Sequence, residues 1–122
     1  MSKEPLGQRL AALKDRSTLQ LTTIGRKTGK RHTVTTWFLA DGETVYLVTL
    51  RLRRDWPRNL MKNGRVELDI GGEIFKGRAK QIVDAKRLGH VKALLSKKYW
   101  AAWLGSWFGM EPEGAFTVTI DA

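Results

Sequence analysis

Six short runs of β-forming residues, separated by tight turns, leave this chain few folds to choose from. Asp41-Gly42 joins two such runs, 32–40 and 44–50, and is a strong two-residue hairpin signal. Val66, Leu68 and Ile70 alternate with Arg65, Glu67 and Asp69, the pattern of a strand with one face in the core. Gly71-Gly72 turns that strand into another over about 73–83, and Phe116, Val118 and Ile120 mark the last. The run at 18–25 alternates and is β-branched, whereas 44–50 is apolar on both faces, as a central strand is. Helical spacing of Leu6, Leu10 and Leu13 predicts a short amphipathic helix over 5–14. Asp55 is read as the cap of a short helix with Pro57 in its first turn and Asn63-Gly64 at its end. Asp84 caps a longer helix in which Leu88, Val91, Leu95, Ala102 and Trp103 share a face. The expected class is α+β: one domain over residues 1–122, a small, mostly antiparallel six-stranded barrel with helices plugging its openings. Pairing of two copies would help to cover its apolar faces.

Composition removes several function classes. Cysteine is absent, which excludes disulfides, thiolate catalysis and Cys-based zinc sites. His32 and His90 lie far apart with no partner at metal-ligand spacing, so no metal site is expected. No apolar run is long enough for a bilayer, and no signal-peptide core is seen, so the expected location is the cytoplasm. The formal net charge of +10 calls for an anionic partner: nucleic acid, a membrane surface or a polyanionic small molecule.

The placement of the charge is more specific than its sum. Between the first two strands, Ile24-Gly25-Arg26-Lys27-Thr28-Gly29-Lys30-Arg31-His32 puts four cations and two glycines in one connection. Such a turn reads either as a solvated basic hairpin or as a site where cationic side chains and free N–H groups converge on a phosphate. A second basic cluster, Arg51, Arg53 and Arg54, follows the third strand, beside a helix carrying Trp56 and Asn59. In an antiparallel meander the first strand ends, the second begins and the third ends at one edge, so the two clusters converge. His32 is either a phosphate hydrogen-bond donor or a strand-edge residue with no role, and His90 is a surface residue.

The run Leu-Thr-Thr-Ile-Gly-Arg-Lys-Thr-Gly-Lys, then Asp41-Gly42, then Trp56-x-x-Asn59-Leu60-x-x-Asn63-x-x-Val66, resembles the deazaflavin-dependent nitroreductase family. The resemblance covers about residues 18–70. It implies a split β-barrel related to flavoproteins and an oxidoreductase that uses coenzyme F420. It further implies that Arg26, Lys27 and Thr28, in the turn that also holds Lys30, grip the anionic tail of the cofactor. Thr49, Leu50 and Arg51 would then lie along the deazaflavin, with Trp56 and Asn59 shaping the wall behind it. The chain departs from the family pattern at Arg31-His32, at Thr35, and at Leu50-Arg51-Leu52, where a serine and paired glycines are usual.

A deazaflavin moves a hydride to an electrophilic acceptor, and the protein contributes orientation and a dry pocket. Trp37, Tyr99, Trp100 and Trp103 are candidate walls for a flat acceptor such as a quinone or nitroaromatic, with Tyr99 as proton donor. The same aromatic cluster also reads as core or as a dimer seam. Two other functions fit the sequence: a split barrel holding flavin mononucleotide, or a basic barrel that binds single-stranded nucleic acid. The second is disfavoured, because the cations cluster in two loops with no aromatic pair alternating among them on one strand.

Overall fold

The computed structural model describes residues 4–99 and 112–121. Helix α1 (Leu6–Leu13) leads into β1 (Thr18–Ile24), β2 (Arg31–Asp41) and β3 (Thr44–Thr49). Then come α2 (Asp55–Lys62), β4 (Arg65–Ile70), β5 (Glu73–Gln81), α3 (Ala85–Lys98) and β6 (Gly114–Ile120). The strands close into a barrel in the order β1-β2-β3-β6-β5-β4, every neighbour antiparallel. The expected α+β barrel is therefore the fold.

Alternation decides what fills it. Leu19 and Leu21 of β1, Val45 and Leu47 of β3, Val66, Leu68 and Ile70 of β4, and Phe116 and Val118 of β6 point inward and are buried. Leu10 of α1 and Trp56 and Leu60 of α2 join this core, so both short helices plug the barrel as expected. The opposite faces of β2, β3 and β6 present Leu39, Tyr46, Val48 and Ala115 to Val91 and Leu95 of α3. Ala102 and Trp103, expected to extend that helical face, lie outside the described residues.

Asp84 caps α3 as predicted, its carboxylate accepting from the Lys86 N–H at 3.1 Å. Asp55 does not cap α2. The N-cap position is Arg54, with no side-chain cap bond, and Asp55 is the first helical residue. Its carboxylate instead accepts a bond from Arg26, 3.2 Å away.

One strand is shared between two ladders. Arg31 to Trp37 of β2 pair with β1, and Phe38 to Asp41 pair with β3. At this changeover the Phe38 carbonyl accepts bonds from Lys98 Nζ (2.9 Å) and Tyr99 Oη (3.2 Å). Tyr99 Oη also reaches Ser17 O at 2.6 Å, and its ring stacks on Trp37 at 4.7 Å. The Lys98 ammonium lies 3.7 Å from the centre of the Phe38 ring.

Burial lowers the Lys98 pKa to about 8 and raises that of Tyr99 to about 12. An unfolded chain holds the Lys98 proton up to its ordinary 10.5, so stability contributed here rises with pH from 8 towards 10.5. Unfolded tyrosine ionises near 10, so its contribution is intact below 10 and lost between 10 and 12. Denaturant midpoints measured against pH should therefore flatten between 8 and 10 in Lys98→Met, and above 10 in Tyr99→Phe, relative to the parent. Parallel curves for parent and variants would refute this assignment.

Candidate functional site

The basic turn is built around two glycines. Gly25 N–H donates to Lys30 O (2.7 Å), and Gly29 N–H donates back to Gly25 O (2.9 Å). Gly29 has φ 72°, a conformation that side chains other than Asn and Asp rarely adopt. Gly25 is needed for space: a Cβ there would lie 2.7 Å from His32 Nε2 and 3.0 Å from Thr28 Oγ1. These two side chains thus pack against bare backbone. Gly25→Ala is expected to push the His32 ring out of place while leaving the barrel core intact, a change visible in the His32 imidazole NMR signals.

Arg26 is the latch between this turn and α2. Its backbone N–H and its Nη1 both donate to Asn59 Oδ1, at 3.1 and 2.9 Å, and Nη2 reaches Asp55. Asn59, only 3% exposed, gives its own amide to Thr23 Oγ1 at 3.2 Å. Every polar atom of Asn59 near Arg26 is thereby used to hold the turn against the helix.

Two grooves flank Trp56. The first, about 420 Å³, is lined by Arg26, Lys27, Thr28, His32 and Asn59 among others. The second, about 200 Å³, is lined by Thr35, Trp37, Thr49, Leu50 and Arg54. Trp56 lines both. The two basic clusters therefore meet at α2, though staggered. Strand β3 ends level with Thr36 of β2, five residues past Arg31, or roughly 16 Å along the strand.

Among the cations Lys27, in the first groove, has no acidic partner among the described residues. Lys30 and Arg51 are exposed and line neither groove, and it is Arg54 that lines the second. Arg31 is engaged with Glu67 on the outer surface. Thr49 is buried, and its hydroxyl donates to Arg51 O (2.8 Å) and accepts from Arg51 N–H (3.1 Å), which bends the chain out of β3. Tyr99 stands behind Trp37, its hydroxyl held by two backbone carbonyls. Trp100 and Trp103 lie outside the described residues. Asp55 as a partner for Arg26, and Thr33 and Thr35 along the grooves, escaped the reading of motifs. Only the fold, which sets Thr33 and Thr35 along the grooves beside Trp56 and brings Arg26 to Asp55, exposes them.

What this arrangement offers is a cationic, hydroxyl-bearing turn beside aromatic walls. Among described residues no His, Asp or Glu cluster could hold a metal, and no helix is long and apolar enough to cross a membrane. No curated protein matches the sequence. Solved structures of the same fold include an F420-H2 dependent reductase, at TM-score 0.66 and 20% identity over 84% of this chain and 94% of that one. Another is a candidate pyridoxamine 5'-phosphate oxidase from Listeria innocua, at TM-score 0.74 and 19% identity over 98% and 95%. A third is HutZ, the heme storage protein of Vibrio cholerae, at TM-score 0.71 and 17% identity over 98% and 92%. At such identities these likenesses speak for the fold. The sequence profile of the F420H(2)-dependent quinone reductases reaches further, matching residues 2–102. The basic turn, the α2 latch and most of the barrel lie within that span, and the chain belongs to this family of oxidoreductases, whose cofactor is coenzyme F420.

Proposed function

We propose that this protein transfers a hydride from reduced coenzyme F420 to a small planar acceptor, a quinone or a nitroaromatic. The observation that carries the reading is the groove beside Trp56, with Lys27 free of any described carboxylate and Thr28 and His32 beside it. That donor set suits the phosphate and glutamate tail of the cofactor, because charge-assisted bonds to phosphate are about twice as strong as neutral ones. The walls at Trp56 and Trp37 suit a flat ring. When bound, the reduced deazaflavin supplies a hydride.

The residues of this chain have divided tasks in this reading. Lys27, Thr28 and His32 bind the anionic tail. Arg26 and Asn59 keep the turn seated on α2, so the binding groups are ordered before the ligand arrives. Trp37, braced by Tyr99, and Trp56 orient ring systems and exclude water. Tyr99 is assigned to support Trp37, because its hydroxyl proton is already committed to backbone carbonyls. Pairing of two copies is compatible with the fold, since one structural neighbour is a domain-swapped dimer. We place the activity in the cytoplasm.

A fluorescence titration with oxidised F420 tests the binding half. Lys27→Ala is expected to weaken binding by roughly 1.5–3 kcal/mol, the worth of one charge-assisted bond, with an unchanged denaturation midpoint. Consumption of F420H2 with menadione as acceptor tests the redox half. A tight complex with flavin mononucleotide and no response to F420 would reverse the cofactor assignment. Salt-resistant binding to single-stranded nucleic acid would remove it altogether.

A further inference from the structure

Helix α3 ends where β2 changes partner, and its last lysine does not leave for solvent. The Lys98 ammonium donates to the Phe38 carbonyl at 2.9 Å. It lies 3.7 Å from the centre of the Phe38 ring and 5.2 Å from that of Tyr99. The same side chain lines a cavity of about 440 Å³ that shares no lining residue with either groove beside Trp56. Leu39, Ala40 and Leu94 give this cavity an apolar wall, and Lys14 and Lys97 stand beside it as cations. Three separate elements therefore bring one half-buried amine and two exposed ones to a single hollow.

A lysine amine is a nucleophile only after it has lost its proton. Burial favours that loss and brings the Lys98 pKa down to about 8, against the pull of the Asp15 carboxylate in the other direction. At pH 8 about half of this amine is neutral, compared with about 0.3% of a lysine at the ordinary 10.5. The remaining charged groups at the cavity are accounted for. Asp41 is drawn to His90, 3.8 Å away, and Tyr99 stays neutral until about pH 12. Lys14 and Lys97 have no acidic partner among the described residues. The hollow thus suits a small, apolar electrophile that becomes an anion when the amine attacks it.

We propose that Lys98 is a carbon dioxide site, at which its neutral amine forms a carbamate. The nitrogen lone pair bonds to the carbon of carbon dioxide, one C=O electron pair moves onto oxygen, and an amine proton passes to solvent. R–NH2 and CO2 thus give R–NH–COO⁻ and H⁺, with no other reactant. Carbon dioxide carries no charge, so it enters beside Leu39 and Leu94 without the penalty of desolvating an ion. The carbamate anion formed there is offset by the Lys14 and Lys97 ammonium groups. The N–H that the carbamate keeps can still serve the Phe38 carbonyl, to which Tyr99 Oη also donates. Asp15 is the group that opposes the reaction, because it favours the protonated amine and repels the product.

The test uses the full chain under carbon-13-labelled carbon dioxide. A carbamate carbonyl resonance is expected beyond the one contributed by the α-amino terminus, and Lys98→Met should abolish it. At fixed carbon dioxide pressure its occupancy should climb as pH rises through about 8. Trapping with a trialkyloxonium salt, followed by peptide mass spectrometry, should place the carbamate on Lys98 at least about tenfold above Lys14 or Lys97. Asp15→Asn is expected to raise occupancy roughly threefold, and Lys14→Gln combined with Lys97→Gln to lower it by a similar factor. Circular dichroism checks that each variant folds, and if Lys98→Met does not, the trapped peptides of the wild type decide. Equal labelling of Lys98 and the exposed lysines overturns the proposal. A resonance that survives Lys98→Met, or one that Asp15→Asn weakens, overturns it as well.

Discussion

Trp56→Ala should lower the unfolding free energy by about 3–5 kcal/mol, the range for deleting a large buried aromatic side chain. The indole is 8% exposed and meets Phe116 at 5.8 Å between ring centres, with the planes inclined at 54°. It plugs the barrel core and at the same time forms the partition between two grooves. Stability and ligand affinity should therefore fall together, a pairing that few core positions would show. Urea denaturation and F420 titration measure the two effects. Trp56→Phe separates them, since it retains much of the core contact while shortening the partition. An alanine variant with an unchanged midpoint would contradict the packing described for α2.

Asn59→Leu is expected to cost about 2–3 kcal/mol, although the side chains are nearly the same size. The substitution strands the backbone N–H of Arg26, half of its guanidinium and the Thr23 hydroxyl. A buried group left without a partner costs about 1–3 kcal/mol. Asn59→Asp keeps the acceptor for Arg26, so its loss should be smaller. Combining Arg26→Ala with Asn59→Leu should destabilise by clearly less than the sum of the two, because both break one network. Additive losses from denaturant titrations would mean that the latch is not a unit.

Much of the fold was legible because its signals are local. Val66, Leu68 and Ile70 alternate along a strand whose period needs no knowledge of partners, and Asp84 announces the helix that starts at the next residue. Asp41-Gly42 marks a hairpin for the same reason. The candidate site was legible in outline, since the cations of the 25–31 turn and Trp56 with Asn59 come from short motifs that end up beside each other. What escaped depends on long separations. Nothing near Asp55 reveals that its carboxylate is drawn to Arg26, 29 residues away, instead of capping its own helix. Arg51 looked equivalent to Arg54 until the Thr49 hydroxyl fixed the bend that separates them. The end of β3 is held by Glu113 and Gly114, which meet Leu52 from 61 and 62 residues away. The Ser17 and Phe38 carbonyls that hold the hydroxyl of Tyr99, read from sequence as a proton donor, lie 82 and 61 residues away, beyond any local pattern.

Five of the six staves of this barrel contain residues fastened to neighbours on both edges; β2 contains none. The wall is consequently weakest along a single stave, and thermal breathing will spread it there before anywhere else.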